Sequence, residues 1–146
     1  MIKYRSGLKY QLAEDYICQL ATIRPDTFIK SDYIELDKQG FLLIRKGYAW
    51  DGCSGPTKDT LSNMRAGLVH DALYQLMRER LLDSRYRKEA DLELASNFKD
   101  AGYMIYKNAL MRRFVDLRSK VFYDAVRAAA GFAVDPKNRK VIHTAP

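Results

Sequence analysis

The strongest constraint on this fold is a change in the spacing of apolar residues near residue 60. Before it, the stretches 10–21 and 32–50 mix β-branched and aromatic residues with polar ones in partial alternation, which is typical of half-buried strands. After it, apolar residues recur every three to five positions, as on one helix face: Leu61, Met64, Leu68, Leu73, Leu76 and Met77. We therefore predict an α+β fold, with a small antiparallel β N-terminal half followed by three α-helices.

Two turn signals divide the N-terminal half. Lys38-Gln39-Gly40 separates two apolar stretches and predicts a hairpin loop, with the glycine taking the positive-φ position. Pro25 marks another turn, because proline cannot continue a paired central strand. We expect a small antiparallel sheet within residues 1–50.

The helical half covers residues 60–131. Its first helix has Thr60 or Ser62 as candidate N-caps. We expect the second helix over 85–102, ending at Gly102, and the third over 103–132. The polar stretch 132–146 is broken by a proline and is predicted to be an extended tail. A chain of 146 residues has the size of a single domain, 1–146.

Composition sets the class of protein. The apolar fraction of 47% and the charged fraction of 29% are ordinary for a folded, soluble chain. The apolar runs are too short to cross a bilayer, and the N-terminus lacks the apolar core of a signal peptide, so we expect a cytoplasmic protein. The net charge of +7 would attract phosphates on nucleic acid or on anionic lipid.

We expect Cys18 and Cys53 to be free thiols, with a catalytic Cys53 as the minor alternative.

His70 and Asp71 stand side by side in the first predicted helix. Neighbouring side chains on a helix point about 100° apart, so the two are expected to serve different partners. Tyr74, four residues on, shares the face of His70. If the first two helices pack antiparallel, Asp91 lies opposite His70 and accepts its ring N–H, which fixes the tautomer. His70 is thus a candidate general base, although a buried histidine bonded to a carboxylate is usually structural.

The turn between Trp50 and Pro56 precedes this helix and is rich in small residues. Its exposed carbonyl oxygens, together with the carboxylate of Asp71, would form an oxygen-only site that suits Ca²⁺. A cation beside a general base favours activation of water for attack on an ester. Zinc is the weaker alternative, because no third His or Cys stands at ligand spacing and His143 lies in the tail.

The segments "DGCSGP", "LVHDALY" and "EADLELASNF" resemble two families. One is a phage and prophage family of uncharacterised small proteins with a DG-S-P turn, an HD--Y helix and a later AD, and the similarity spans residues 40–102. The other is the phospholipase A2 superfamily, especially its prokaryotic and parvoviral members, which have a calcium loop, an HD--Y helix and an aspartate on an antiparallel helix.

The second resemblance implies a Ca²⁺-dependent hydrolase of lipid or related esters. His70 would be the base that activates water, and Tyr74 and Asp91 would form its hydrogen-bond network. Asp71 would be the side-chain Ca²⁺ ligand. The loop carbonyls would come from residues that match the calcium loop: Trp50, Gly52 and Ser54.

The phage resemblance implies synthesis in a host cytoplasm and leaves two other classes open. One is a non-enzymatic virion or assembly component of a tail or neck, whose mark would be an exposed apolar face on the long third helix and whose partners would be other virion proteins. The other is a nucleic-acid-binding accessory protein with a basic stripe on that helix: Arg112, Arg113, Arg118 and Lys120. A second basic set, at the corner between the first two helices, is expected to be solvated: Arg78, Arg80, Arg85, Arg87 and Lys88.

Overall fold

The structure is a computed structural model that describes residues 2–4, 10–52, 63–138 and 143–145. It confirms the predicted α+β architecture, with antiparallel strands in the N-terminal half followed by three helices. The strands are β1 Ile2–Tyr4, β2 Tyr10–Gln11, β3 Tyr16–Gln19, β4 Ile29–Lys30, β5 Ile34–Leu36, β6 Phe41–Ile44, β7 Ala49–Trp50 and β8 His143–Ala145. The helices are α1 Met64–Arg78, α2 Arg87–Ile105 and α3 Ala109–Ala129.

Four strands form the main sheet, in the order β3-β6-β5-β4, and every neighbouring pair is antiparallel. The predicted hairpin joins β5 to β6. Asp37 closes it, because its Oδ1 accepts from the backbone N–H groups of Gln39 and Phe41 at 2.9 and 2.8 Å. Gly40 has a φ of +82°, and a Cβ there would lie 2.7 Å from the carbonyl oxygen of Ile23. The turn therefore requires glycine for both conformation and space.

The C-terminal stretch differs from the extended tail we expected. Short 3-10 segments occupy Ala130–Val134 and Pro136–Asn138, and they follow α3 directly. Within the described part of this stretch, only β8 is extended, and it pairs antiparallel with β1. A second two-stranded pair joins β2 to β7.

Helices α1 and α2 pack antiparallel, as the sequence predicted. Three hydrogen bonds join them in opposite order along the two helices: Arg65 with Asn97, His70 with Asp91, and Tyr74 with Arg87. Helix α1 begins after Asn63, and the caps expected at Thr60 and Ser62 lie outside the described residues. Helix α3 runs back along α2, since Ser119 reaches Ala95 while Arg87 reaches Val126.

The boundary between α2 and α3 was predicted wrongly. Gly102 does not end α2, which continues to Ile105. Asn108 starts α3 instead, because its extended backbone leaves the helical region and its Oδ1 accepts from the N–H of Met111 at 2.8 Å. Gly102 allows α2 and α3 to approach closely where they cross, since a Cβ there would lie 2.6 Å from Cγ1 of Val115.

Two apolar clusters hold these elements together. The larger one joins the inner face of the main sheet to α1, and its fully buried side chains include Leu20, Ile23, Ile34, Leu36, Leu42, Ile44, Val69, Leu73 and Leu76. Tyr48 and Trp50 belong to this core. The smaller cluster lies between α2 and α3 and includes Leu94, Phe98, Val115, Phe122 and Val126. Helix α1 thus packs against the sheet on one side and α2 on another, which places His70 at the junction.

None of the described helices combines the length and apolarity needed to cross a bilayer.

Candidate functional site

The carboxylate of Asp91 is the centre of a buried hydrogen-bond network. Asp91 is 0% exposed, although it is charged. Its Oδ1 accepts from the Tyr74 hydroxyl at 2.6 Å and lies 2.9 Å from Nε2 of His70. Its Oδ2 accepts from Nη1 of Arg127 at 2.9 Å. The three residues predicted as catalytic are therefore in direct contact, and Arg127 of α3 completes the network.

The network keeps Asp91 ionised. Burial by itself would raise the pKa of Asp91, but the hydrogen bonds donated by His70, Tyr74 and Arg127 outweigh it, so the pKa lies below its ordinary value. An ionised carboxylate only accepts hydrogen bonds. Nε2 of His70 must therefore carry a proton, and a neutral His70 would have a bare Nδ1.

The negative charges around His70 favour its protonated form. Burial lowers the pKa of His70, but the hydrogen bond to Asp91 and the negative charges of Asp71 and Asp91 more than compensate, so the pKa lies above its ordinary value. The Tyr74 ring lies 4.0 Å from the His70 ring, centroid to centroid, and restricts its rotation. His70 is only 7% exposed.

Asp71 lies closer to His70 than the helical geometry predicted. Its Oδ1 is 4.0 Å from Nδ1 of His70, which is beyond direct hydrogen-bond distance but within reach of a strong charge interaction. The Asp71 side chain is 25% exposed. The two aspartates therefore differ in role. Asp91 holds Nε2 of His70 in the interior, and Asp71 faces the other ring nitrogen at the rim.

Two arginines of the network were not anticipated from the sequence. Arg87 was expected at a solvated corner, and this was wrong: its Nε donates to the Tyr74 hydroxyl at 3.2 Å. Its Nη2 donates to the carbonyl oxygens of Val126 and Arg127 at 3.0 and 2.8 Å. Arg87 thus satisfies carbonyls in the last turn of α3, where a cation also complements the helix dipole. Neither arginine carries a local signal, because their partners are set by the register of three helices.

The proposed cation ligands are only partly described. Trp50 ends β7, and Gly52 follows in a left-handed conformation with φ of +83°, while Ser54 lies outside the described residues. Burial raises the pKa of Tyr48, and the negative charge of Asp71 raises it further. Over 10–52 and 63–138, no three His, Cys, Asp or Glu side chains converge on a metal position. A cation here would have Asp71 as its side-chain ligand and would need backbone oxygens of the loop.

The thiol of Cys18 is free and lies on β3. Burial, as the main cause, raises the pKa of Cys18 to about 11, so the thiol is protonated at neutral pH. Cys53 lies outside the described residues.

Comparisons with protein-family models, with curated proteins and with solved structures found no significant match for this chain. Function is therefore inferred from the geometry of the site and from the sequence motifs.

Proposed function

We propose that this chain is a phage-type ester hydrolase in which His70 activates a water molecule. The observation that carries the proposal is the contact between Nε2 of His70 and the buried carboxylate of Asp91. That contact assigns the proton of neutral His70 to Nε2 and leaves Nδ1 free to accept one. A positioned base of this kind is what hydrolysis of an ester needs.

In the proposed reaction, the oxygen of water attacks the carbonyl carbon of the ester while Nδ1 of His70 takes the water proton. Asp91 stabilises the imidazolium that forms, and it remains ionised because Tyr74 and Arg127 bond to it. The imidazolium then returns the proton to the departing alkoxide, which leaves an acid and an alcohol. The resemblance to phospholipases A2 suggests a lipid or a related amphiphile as the substrate.

The donor atoms that the phospholipase resemblance implies near Asp71 would suit a hard cation. Asp71 and the backbone carbonyls of Trp50, Gly52 and Ser54 would hold Ca²⁺, since carboxylate and carbonyl oxygens are its preferred ligands. When bound, this ion would stabilise negative charge on the ester oxygen.

The test is hydrolysis of phospholipid and short-chain ester substrates by the purified chain, with Ca²⁺ and with a chelator. We expect activity with Ca²⁺ that is lost in His70→Ala and falls at least about a hundredfold in Asp91→Asn. Asp100→Asn changes an exposed carboxylate of the same helix and should leave the rate unchanged. Activity that persists in His70→Ala would overturn the proposal.

A second candidate function is a non-enzymatic virion or assembly component. The observation that favours it is an exposed apolar row on α3, formed by Leu110, Phe114, Leu117 and Val121. Contiguous exposed apolar residues of this kind often mark a protein interface. This candidate requires the chain in purified particles at a fixed ratio to the other virion proteins.

A further inference from the structure

Helix α3 carries two rows of residues with the same spacing. The inner row, Val115, Ser119, Phe122 and Val126, is buried. The outer row is Leu110, Phe114, Leu117 and Val121, with exposed fractions of 77%, 55%, 60% and 58%. Each outer residue precedes an inner one by five positions, which is about 140° around a helix. The outer row therefore faces well away from the core.

The inner row shows what this spacing is used for in the same helix. Val115 packs onto Gly102, the Ser119 hydroxyl donates to the carbonyl oxygen of Ala95 at 2.8 Å, and the Phe122 ring lies 5.0 Å from that of Phe98. All three partners belong to α2. Steps of four, three and four residues thus pack α3 against a helix, and they match the repeat of helix-helix seams in general.

The outer row has the same steps, which favours a helix as its occupant. A lipid surface takes a wider apolar face, whereas this row is one residue wide. The row covers three turns, or about 16 Å, so a partner helix of roughly 11 to 14 residues would match it.

The charges beside the outer row determine which helix fits. In a seam built on these four residues, Arg113 falls on one flank and Arg118 falls on the other, whereas Lys120 beside Arg113 is already paired with Asp124. The two carboxylates of α3 are already paired within the chain, Asp116 with Lys99 and Asp124 with Lys120. A second copy of α3 would set these basic flanks against each other, and like charges across a seam oppose pairing.

We propose that the outer row of α3 binds an acidic amphipathic helix of a partner protein, with apolar residues at the same spacing and Asp or Glu on its flanks. The inference gives the assembly candidate a partner class and rests on that candidate for its biological setting. It is independent of the proposed hydrolysis, because the outer row and the His70 network share no residue.

The test uses a fluorescein-labelled synthetic helix of about two heptads, with Leu and Ile along the seam and Glu on the flanks. A matched peptide has Lys in place of every Glu. We expect the full chain to bind the Glu peptide at least about tenfold more tightly than the Lys peptide in fluorescence anisotropy, with affinity falling as salt rises. Leu117→Glu should weaken the Glu peptide at least about tenfold. Ile17→Glu, at an exposed apolar position on the sheet, should not.

Equal binding of the two peptides, or binding that Leu117→Glu leaves unchanged, would overturn the proposal. Binding of either of two other occupants to the outer row would also overturn the proposal. A lipid surface would be shown by phosphatidylglycerol vesicles that bind the chain, lose it in Leu117→Glu and are not displaced by the Glu peptide. A second copy would be shown by a sedimenting dimer that Leu117→Glu dissociates. Each of these results leaves the hydrolysis assay to be judged separately, because Leu117→Glu does not alter the His70 network.

Discussion

Replacing Asp91 with asparagine should both destabilise the chain and change the titration of His70. The substitution keeps the shape of the side chain but removes a charge from a position with no solvent exposure. An amide has only one oxygen, so it cannot accept from His70 and Tyr74 on one side and from Arg127 on the other. The guanidinium of Arg127 and the protonated ring of His70 would both lose their anion.

The expected loss of folding free energy is about 2–4 kcal/mol. Breaking a buried ion pair by removing one partner costs roughly 3–5 kcal/mol. The lower range applies here because the Arg127 side chain is 35% exposed and can turn to solvent, and because His70 can lose its proton.

The loss should depend on pH in a defined direction. The pKa of His70 is raised above 6.5, so the stability it contributes is complete below 6.5 and is lost as the pH rises through the folded pKa. The pKa of Asp91 is lowered below 3.8, so its contribution is complete above 3.8 and is lost as the pH falls through the folded pKa. The difference between wild type and Asp91→Asn should therefore be largest between these values and smaller above the raised pKa of His70.

Urea unfolding across this pH range measures the free energies, and the imidazole NMR signals of His70 and His143 follow the two histidines. We expect one histidine of the wild type to titrate above 6.5. Its pKa should fall in Asp91→Asn, because burial lowers the pKa and the charge of Asp91 no longer raises it. Asp100→Asn is the control for loss of an α2 carboxylate. Equal stability of the wild type and Asp91→Asn at pH 5, together with an unchanged histidine titration, would show that Asp91 is not the anion that stabilises His70 and Arg127.

Further substitutions test other parts of the structure. Gly102→Ala should destabilise the chain by about 1–3 kcal/mol in urea unfolding, because the new Cβ would meet Val115, and Val115→Ala in the same chain should recover part of the loss. Gly40→Ala should cost a similar amount, since it combines a positive φ with a close carbonyl oxygen, and a neutral effect would contradict the described turn. Arg87→Met should lower the thermal midpoint by leaving carbonyls of α3 without a donor, whereas the exposed neighbour Lys88→Met should not. If His70 is the base, kcat/KM for ester hydrolysis should rise with pH through the raised pKa of His70, and a rate that falls over that range would exclude this role.

Local patterns in the sequence were sufficient for the outline of the fold. The change of apolar period separates strands from helices, and the Gly40 turn places β5 beside β6, because both depend on residues close together in the chain. The contact of His70 with Asp91 was also predictable, since it needed one assumption, the antiparallel packing of two consecutive helices.

Tertiary structure decided the features that depend on a third element. Arg127 reaches Asp91 across 36 positions of sequence, and only the register of α3 on α2 places it there. Gly102 reads as a helix end in the sequence, yet Val115 of the next helix explains why it is glycine. The distance from His70 to Asp71 likewise depends on how the surrounding core turns each side chain. Sequence patterns record short-range preferences of the backbone, whereas these contacts follow from how complete elements pack, and packing is decided by the whole core at once.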